Sequence, residues 1–425
     1  MNIFEEVTWR GMIHSATEGV EALLRTSEVT ACIGFDPSPS SLHVGSLLPL
    51  MALARFQRHG HRPMAVVGGG TGLIGDPSGK TTERSLLGKD QVEENLIGIR
   101  QQLGLFLEFG KASNSALLIN NAEWLTTIPL TDFLRDVGKY FTVNMMLGKE
   151  SVRRRLEQQD GISFTEFSYL LLQAYDFLVL YDRYGCTLQM GGSDQWGNIT
   201  AGCDLIRRVR GASTHALVFP LVTNSSGTKF GKTEAGTIWL DPKRTSPYRF
   251  FQFWHNTDDR DVIQYLSFFT WLDEKEIGRL KESVNHQPEQ REAQRVLASA
   301  VTRIVHGNSG LEKAEAASRV LFGGDMSELS SAEIFDVFAD VPSTDVLKRS
   351  LRADGIGIVD LLITCSLADS KSDAIRSIGS GGVYVNNIRG ANERMVFREP
   401  DVIEGEFLIV RKGRRQYHLV HFIGD

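Results

Sequence analysis

A short segment early in the chain carries the residue types that a nucleotide-phosphate site requires. It reads GFDPSPSSLHVGS (residues 34–46) and places His43 and Gly45 in the first turn of an apolar helix, directly after a strand-like run. A helix N-terminus carries roughly half a positive charge and unpaired N–H groups, so it attracts phosphate. We expect Ser41 to cap this helix, His43 to donate a hydrogen bond to phosphate, and Gly45 to let a flat ring approach the backbone.

A second segment, TKFGKT (residues 228–233), supplies Lys229 and Lys232 in a glycine-flanked loop. Lysines three residues apart are often only solvated. Together with a phosphate-binding helix start, however, they indicate a clamp on a triphosphate.

Two other glycine-rich stretches imitate phosphate motifs. GTGLIG (residues 70–75) is a literal GxGxxG and favours a dinucleotide-binding oxidoreductase as a rival hypothesis. The acidic residue expected about 20 residues later is Asp90, which lies in a helical pattern rather than at the end of a strand. GDPSGKT (residues 75–81) has three residues between its glycines, whereas a P-loop needs four. Neither stretch therefore meets the requirements of its motif.

A polar stripe runs along the apolar segment GISFTEFSYLLLQAYDFLVLY (residues 161–181). Ser163 and Glu166 form a predicted capping box at the start of this helix. Tyr169, Gln173 and Asp176 follow at i, i+4 and i+7, on one helix face. From the spacing alone, a satisfied internal network and a ligand site are equally good interpretations.

Composition narrows the class of protein. The chain has 425 residues, 42% hydrophobic and 23% charged, as in ordinary globular domains, and a net charge of −6 that does not favour nucleic acid globally. The N-terminus lacks the apolar core of a secretory signal, and the most apolar segment is too short and too polar to span a bilayer. The four cysteines show no CxxC spacing, so we expect no metal site and a reduced, cytoplasmic setting.

The order of patterns predicts an α/β protein of several domains. Apolar runs alternate with helical patterns in the first half, which indicates βαβ units and a parallel sheet. We expect a catalytic domain over residues 1–245, an α-helical domain over 246–325, a linker over 326–350, and a small α+β domain over 351–425. Basic residues cluster at Arg153-Arg154-Arg155 and in Arg411-Lys412-Gly-Arg414-Arg415.

Together these segments resemble a known family. LHVGS resembles the HIGH motif of class I aminoacyl-tRNA synthetases, and KFGKT resembles their KMSKS loop. With GGGTGLIGDPSGK, the polar-stripe helix and GGSDQWGNITAG, they are similar to the bacterial tyrosyl-tRNA synthetases over nearly the whole chain. The resemblance implies a Rossmann-like catalytic domain with a dimer-interface insertion near residues 100–160. Residues 365–390 also resemble an RNA-binding module shared with a ribosomal small-subunit protein.

The resemblance also assigns roles to residues of this chain. It implies that Asp76, Tyr169 and Gln173 surround the ammonium group of tyrosine, that Asp176 meets its phenol, and that Gln195 lies near its carboxylate, with Cys32 and Gly34 in the same site. ATP is implied to contact Asp36, Ser38, His43, Gly45, Lys80, Arg84, Asp194, Lys229 and Lys232. The residues implied to act in catalysis are His43, Ser46, Lys229, Lys232 and Thr233. The implied RNA contacts are Ser370, Lys371, Arg376, Arg411, Lys412, Arg414 and Arg415.

The implied reaction joins L-tyrosine to ATP as tyrosyl-adenylate and then to the 3′ end of tRNA(Tyr). Mg²⁺ accompanies ATP, and catalysis relies on positioning and charge stabilisation without a protein nucleophile. A homodimer is implied, with no DNA or membrane partner.

Two residues depart from the family pattern. Ser46 stands where many relatives carry histidine or asparagine. Cys32 stands where the family usually places a tyrosine against the substrate phenol, and a thiol is a smaller and poorer hydrogen-bond partner. A ring-substituted tyrosine is therefore an alternative to tyrosine as the amino-acid substrate. A non-catalytic RNA-binding relative is a further alternative, although the joint presence of His43, Gly45, Lys229 and Lys232 argues against it.

Overall fold

The computed structural model describes residues 1–78, 86–157, 161–225, 230–233, 236–321, 334–335, 337–338, 341–352, 355–413 and 416–424. The helices in these ranges are α1 (Ile3–Trp9), α2 (Val20–Thr26), α3 (Leu47–Arg58), α4 (Lys89–Leu103), α5 (Ala122–Leu125), α6 (Leu130–Asp136), α7 (Val143–Leu147), α8 (Glu150–Leu156), α9 (Phe164–Tyr184), α10 (Trp196–Arg210), α11 (Pro247–His255), α12 (Asp259–Phe269), α13 (Glu274–His286), α14 (Glu292–Leu321), α15 (Ile358–Thr364) and α16 (Lys371–Gly379). The strands are β1 (Ser15–Ala16), β2 (Thr30–Phe35), β3 (Arg62–Val67), β4 (Leu117–Asn120), β5 (Cys186–Gly192), β6 (His215–Phe219), β7 (Lys232–Thr233), β8 (Gly236–Thr237), β9 (Ser343–Leu347), β10 (Ile356–Gly357), β11 (Val383–Val385), β12 (Ile388–Arg389), β13 (Val396–Phe397), β14 (Phe407–Lys412) and β15 (Gln416–Ile423).

A six-stranded sheet of order β1-β6-β5-β2-β3-β4 forms the centre of the first half of the chain. Its strands β2 to β6 are parallel, and the short β1 pairs antiparallel with β6. The predicted α/β class with a parallel sheet is therefore confirmed. The apolar runs VTACIGF and PMAVVGG are buried as β2 and β3, because helices cover both faces of a parallel sheet.

The strand order reverses between β2 and β5. The chain passes from β2 through α3 to β3 on one side, while β5 joins β2 on the other. In open α/β sheets, ligands bind at the carboxyl ends of the strands beside such a reversal. The residues that follow β2, β3, β4 and β5 therefore lie where a binding site is expected.

The chain divides into two compact units, Met1–Thr245 with Phe253–Val305, and Ser246–Gln252 with His306–Asp425. Helices α12 and α13 thus belong to the same unit as the parallel sheet, whereas the sequence analysis assigns them to a separate helical domain. The loop between α12 and α13 is hydrogen-bonded to the end of α1 and to α3. Arg10 donates to the carbonyl of Leu272, and Arg55 donates to the carbonyl of Thr270. Such long-range contacts leave no signal in local sequence patterns.

The second unit contains a five-stranded sheet of order β12-β11-β14-β15-β9. Strand β9 pairs in parallel with β15. Because β9 lies inside residues 326–350, which the sequence analysis assigns to a linker, the folded C-terminal unit begins earlier than expected. The described part of α14 is interrupted at Gly307, where φ is 71° and ψ is −176°. None of the helices in the described ranges is long and apolar enough to cross a membrane.

Candidate active site

His43 caps the turn that precedes α3. Its backbone is extended, and its Nδ1 accepts a hydrogen bond from the N–H of Gly45 at 3.0 Å. The imidazole tautomer that accepts at Nδ1 carries its proton on Nε2, which is the donor that the sequence analysis expects at phosphate. A Cβ at Gly45 would lie 2.6 Å from the His43 ring, so glycine is required here because this ring lies against the backbone.

The prediction that Ser41 caps this helix is wrong. Ser41 is fully buried, and its Oγ donates to the Leu42 carbonyl and accepts from the Gln102 side chain at 2.8 Å. Gln102 lies on α4, 61 residues further along the chain. A distant hydrogen-bond partner thus removes Ser41 from the helix end and leaves the capping role to His43.

The TKFGKT segment (residues 228–233) is the lysine-rich segment, and the chain that follows it pairs with the His43 turn (residues 43–46). The N–H of Val44 donates to the Ile238 carbonyl at 3.0 Å, and His43 forms an antiparallel bridge with Trp239. Gly231 has φ +80°, and a Cβ there would lie 2.5 Å from Val44 Cγ2. The two predicted phosphate segments are therefore adjacent. Lys229 lies outside the described residues, and only the backbone of Lys232 and Thr233, as β7, is described.

Phe230 anchors this segment in an aromatic cluster. It is buried, stacks on Phe269 with ring centroids 5.6 Å apart, and also contacts Phe253, Trp254 and Tyr265. Burial of such a large ring holds the start of the segment in place.

Asp36 follows β2 and joins it to the polar-stripe helix α9. Its two carboxylate oxygens accept hydrogen bonds from the Tyr169 hydroxyl and the Thr71 hydroxyl, each at 2.7 Å. Burial, together with the carboxylates of Asp36 and Asp76, raises the pKa of Tyr169 well above its usual range. Tyr169 is therefore a neutral donor at physiological pH.

Asp176 occupies the buried end of the stripe. Its oxygens accept from Asn121 Nδ2 at 2.8 Å and from Trp124 Nε1 at 2.6 Å. Burial raises the pKa of Asp176 to about 8; the two hydrogen bonds oppose this rise, and the charge of Asp36 adds to it. A carboxyl group with this pKa is largely protonated near neutral pH and ionises when a ligand donates to it.

A third polar group surrounds Asp76. This carboxylate accepts from the Ser78 N–H at 2.9 Å and from Gln195 Nε2 at 2.6 Å. Asn198 Nδ2 in turn donates to the Oε1 atoms of Gln173 and Gln195. The three stripe residues thus contact residues that follow strands: Tyr169 contacts Asp36 after β2, Asp176 contacts Asn121 after β4, and Gln173 contacts Asn198 after β5. The stripe of α9 therefore faces the carboxyl edge of the sheet.

A family model described as tRNA synthetases class I (W and Y) matches residues 24–323, and one described as the tyrosine–tRNA ligase SYY-like C-terminal domain matches residues 333–420. The chain belongs to the tyrosine–tRNA ligase family. The tyrosine–tRNA ligase of Roseiflexus castenholzii is 56% identical over 421 residues, which cover 99% of each chain. That of Geobacillus stearothermophilus is 48% identical over 99% of this chain and 100% of its own length. A C-terminally truncated mitochondrial tyrosyl-tRNA synthetase of Aspergillus nidulans is similar in structure, with 31% identity and a TM-score of 0.67 over 76% of this chain and 94% of that chain.

Several residues assigned by resemblance lie near these groups in this member of the tyrosine–tRNA ligase family. Ser46 ends the His43 turn, with its N–H donating to the His43 carbonyl. Ser38 is exposed two residues after Asp36, and Asp194 lies in the turn that follows β5. Gly34 is exposed near the end of β2. Lys80 and Arg84 lie outside the described residues.

Cys32, one of the two residues that the sequence analysis sets apart from the family pattern, has no solvent-accessible surface. It packs with Cys186, Met64 and Ala174 in the core beneath α9. Burial raises the pKa of the Cys32 thiol well above its usual range, and the neighbouring Cys186 thiol and Asp176 carboxylate add to this effect. The group at this position is therefore a neutral thiol within a packed core.

Four polar residues of the site were not predicted: Thr71, Asn121, Trp124 and Asn198. Asn121 directly follows the predicted strand ALLIN, so its place at the carboxyl edge of the sheet was a usable signal. Asn198 lies three residues after Gln195 at the start of α10, where adjacent helix turns bring side chains together. The capping role of Ser163 on α9 is confirmed, while the Glu166 carboxylate pairs with the buried Arg155 at 2.8 Å.

The predicted RNA-binding residues in the C-terminal unit are in two environments. Ser370 caps α16, and the side chains of Lys371 and Arg376 on this helix are 74% and 78% exposed. The Arg411 guanidinium lies 3.9 Å from the Tyr384 ring centre. Lys412 is directed inward, because its Nζ donates to the Leu367 carbonyl at 2.6 Å and contacts Asp373. Arg414 and Arg415 lie outside the described residues.

Proposed function

We propose that this chain activates L-tyrosine with ATP, forming tyrosyl-adenylate and pyrophosphate, and transfers the tyrosyl group to the 3′ end of tRNA(Tyr). The observation that carries the proposal is the position of the α9 stripe. Tyr169, Gln173 and Asp176 contact residues that follow β2, β5 and β4, and the His43 turn, which also follows β2, pairs with the segment after Phe230. An amino-acid site and a phosphate site are therefore supported on one edge of one sheet.

The roles proposed for individual residues follow from their charges. Asp76, which accepts two hydrogen bonds, is a suitable counter-charge for the ammonium group of tyrosine, and Asp176 is a suitable acceptor for its phenol. His43 Nε2 and the lysines at 229 and 232 would stabilise charge on the transferring phosphates, with Mg²⁺ arriving as part of the ATP substrate. The tyrosine carboxylate is itself the nucleophile, so positioning supplies the rate enhancement.

ATP–pyrophosphate exchange with each of the twenty amino acids and a meta-substituted tyrosine tests this proposal. We expect exchange with tyrosine above all others. Faster exchange with the substituted tyrosine than with tyrosine would contradict tyrosine as the substrate. We would then attribute the altered preference to Cys32. Absence of exchange with every amino acid would support the non-catalytic alternative. We further propose a cytoplasmic location, supported by four cysteines that are all free thiols.

Tyrosine binding at pH 7 is expected to release a proton. The pKa of Asp176 is about 8 in the free protein, so the group is mostly protonated at pH 7, and a phenol that donates to it favours the ionised form. Tyrosine affinity should accordingly rise as the pH increases toward 8. Calorimetric titration in two buffers with different ionisation enthalpies measures the released protons. The same result is expected for Asp182→Asn, a surface control on α9, while binding heats independent of the buffer would show that Asp176 is already ionised.

We propose that the chain forms a homodimer through helices α6 to α8 and the start of α9. Six large apolar side chains are exposed on these helices: Leu130, Leu134, Val143, Leu147, Leu156 and Phe164. Several large apolar side chains exposed along one stretch of the chain are typical of protein–protein interfaces.

The variant Leu130→Asp/Val143→Asp is expected to shift the protein toward the monomer, because it places two charges in the proposed interface. Analytical ultracentrifugation measures the shift. Ile388→Asp replaces an equally exposed residue of the C-terminal unit and should leave the mass unchanged. A monomeric wild-type protein, or a dimeric double variant, would contradict this interface.

The exposed face of α16 is proposed to contact tRNA. Lys371→Glu/Arg376→Glu should weaken tRNA charging and reduce its salt dependence, because two phosphate contacts are replaced by repulsion. Tyrosine-dependent pyrophosphate exchange should be unchanged. Lys275→Glu/Lys281→Glu makes the same change of charge at two exposed positions of α13 in the first unit and provides the matched control. Full tRNA charging by the α16 variant at every salt concentration would assign RNA binding to another surface.

A further inference from the structure

We propose that Asn198 is a positioning residue that fixes the amide orientation of Gln173 and Gln195 and thereby sets which atoms of the tyrosine site act as donors. This inference depends on the proposed function, because it concerns the same amino-acid site. Asn198 is not among the residues that the sequence analysis assigns to the tyrosine site.

Asn198 is placed at the centre of the polar network. It lies in the first turn of α10, is 4% exposed, and its Nδ2 approaches three acceptors. These are Gln173 Oε1 at 3.0 Å, Gln195 Oε1 at 3.2 Å and Ser78 Oγ at 3.3 Å. Each acceptor comes from a different element, since Gln173 lies on α9, Gln195 follows β5, and Ser78 follows the turn after β3.

The hydrogen bonds form a closed ring around Asp76. Asn198 shares its two N–H bonds among Gln173, Gln195 and Ser78, the Gln195 amide donates to one oxygen of Asp76, and the Ser78 N–H donates to the other. A closed ring is directional: the donor at Asn198 requires an oxygen at Gln195, which leaves the Gln195 NH₂ group directed at the carboxylate. Buried networks of this kind reinforce each member and are costly when one member is mismatched.

The orientation matters because a glutamine amide has two rotamers of nearly identical shape. Only the hydrogen-bond partners determine whether oxygen or NH₂ occupies a given position. If Gln195 reversed, its oxygen would face the Asp76 carboxylate, and two acceptors would then oppose each other in a buried site. Asn198 prevents this reversal and equally holds the oxygen of Gln173 toward itself. The ammonium-binding carboxylate is thereby kept in a fixed position.

The isosteric variant Asn198→Asp tests the inference, because it keeps the shape and replaces the donor with an acceptor. Both glutamines are then expected to reverse, which should raise KM for tyrosine in pyrophosphate exchange by about 5–100-fold, as for a mismatched buried group. KM for ATP should change by less than about twofold, because the phosphate segments make no contact through Asn198 in the described network. Asn198→Ala, which removes the donor without adding an acceptor, should give a smaller rise in KM for tyrosine.

Thr200→Val is the matched control. Thr200 lies on the same helix as Asn198. In the described contacts, its Oγ1 donates only to the carbonyls of Trp196 and Gly197 of that helix, so valine removes a hydroxyl that takes no part in the network. The Thr200→Val variant should leave both KM values unchanged, even if the melting temperature falls as in the Asn198 variants. A loss of kcat in Asn198→Asp, with KM for tyrosine unchanged, would overturn the inference and indicate a purely structural residue. A wild-type protein without tyrosine-dependent exchange would instead overturn the proposed function, and this inference with it.

Discussion

Asp176→Asn is expected to lower kcat/KM for tyrosine by about 100-fold, since a hydrogen bond to a charged group contributes about 1.5–3 kcal/mol. An asparagine also places an NH₂ group against one of the two donors that now serve the carboxylate, Asn121 Nδ2 or Trp124 Nε1. Pyrophosphate exchange over a range of tyrosine concentrations measures the loss. Asp182→Asn makes the same substitution on the same helix, at a surface ion pair with Arg210, and should have little effect.

The same variant should change the pH dependence of stability. The folded pKa of Asp176, about 8, lies above its ordinary value of 3.8, so the folded state binds the proton more tightly than the unfolded state. The contribution of this group to the free energy of unfolding is therefore fully present below pH 4 and is lost as the pH rises through 8. Urea unfolding at several pH values should show a smaller decline between pH 4 and 8 in Asp176→Asn than in the wild type. Parallel curves would show that Asp176 is ionised in the folded protein.

Gly231→Ala is expected to reduce the rate of adenylate formation by about 30-fold or more while tyrosine binding is unchanged. Alanine is strained at φ +80°, and its Cβ would lie 2.5 Å from Val44 Cγ2, so conformational strain and overpacking combine to about 2–5 kcal/mol. The strain falls between the lysine-rich segment and the His43 turn, not at α9. Single-turnover formation of tyrosyl-adenylate and equilibrium binding of tyrosine separate the two effects.

Two controls distinguish the contact from the strain. Gly211→Ala introduces alanine at φ +67° with no atom within 4 Å of the new Cβ, and it should leave the rate unchanged. Val44→Ala combined with Gly231→Ala removes the opposing methyl group and should restore part of the rate. A double variant as slow as Gly231→Ala alone would show that Val44 is not the cause of the loss.

The sequence predicts the parallel sheet and the α9 stripe because both depend on local periodicity. Tyr169, Gln173 and Asp176 are placed on one face by helix geometry alone. The partners of these residues are set by tertiary packing: Asn121 meets Asp176 across 55 residues, and Tyr169 meets Asp36 across 133. Ser41 illustrates the same limit, since a local capping rule fails where a distant glutamine offers a buried hydrogen bond. The order of strands along the chain thus predicts which edge of the sheet the polar residues after the strands occupy. Local residue patterns do not predict which side chains they contact there.

The parallel pairing of β9 with β15 determines how the C-terminal unit can be separated from the chain. A fragment that begins at residue 351 lacks β9 and leaves β15, an eight-residue strand, with a row of unpaired N–H and C=O groups. Open edges of this length recruit other strands and promote aggregation. A fragment that begins before Ser343 keeps the edge covered. The five residues of β9, Ser343–Leu347, are therefore expected to determine whether the isolated C-terminal unit aggregates, because they cover the edge of β15.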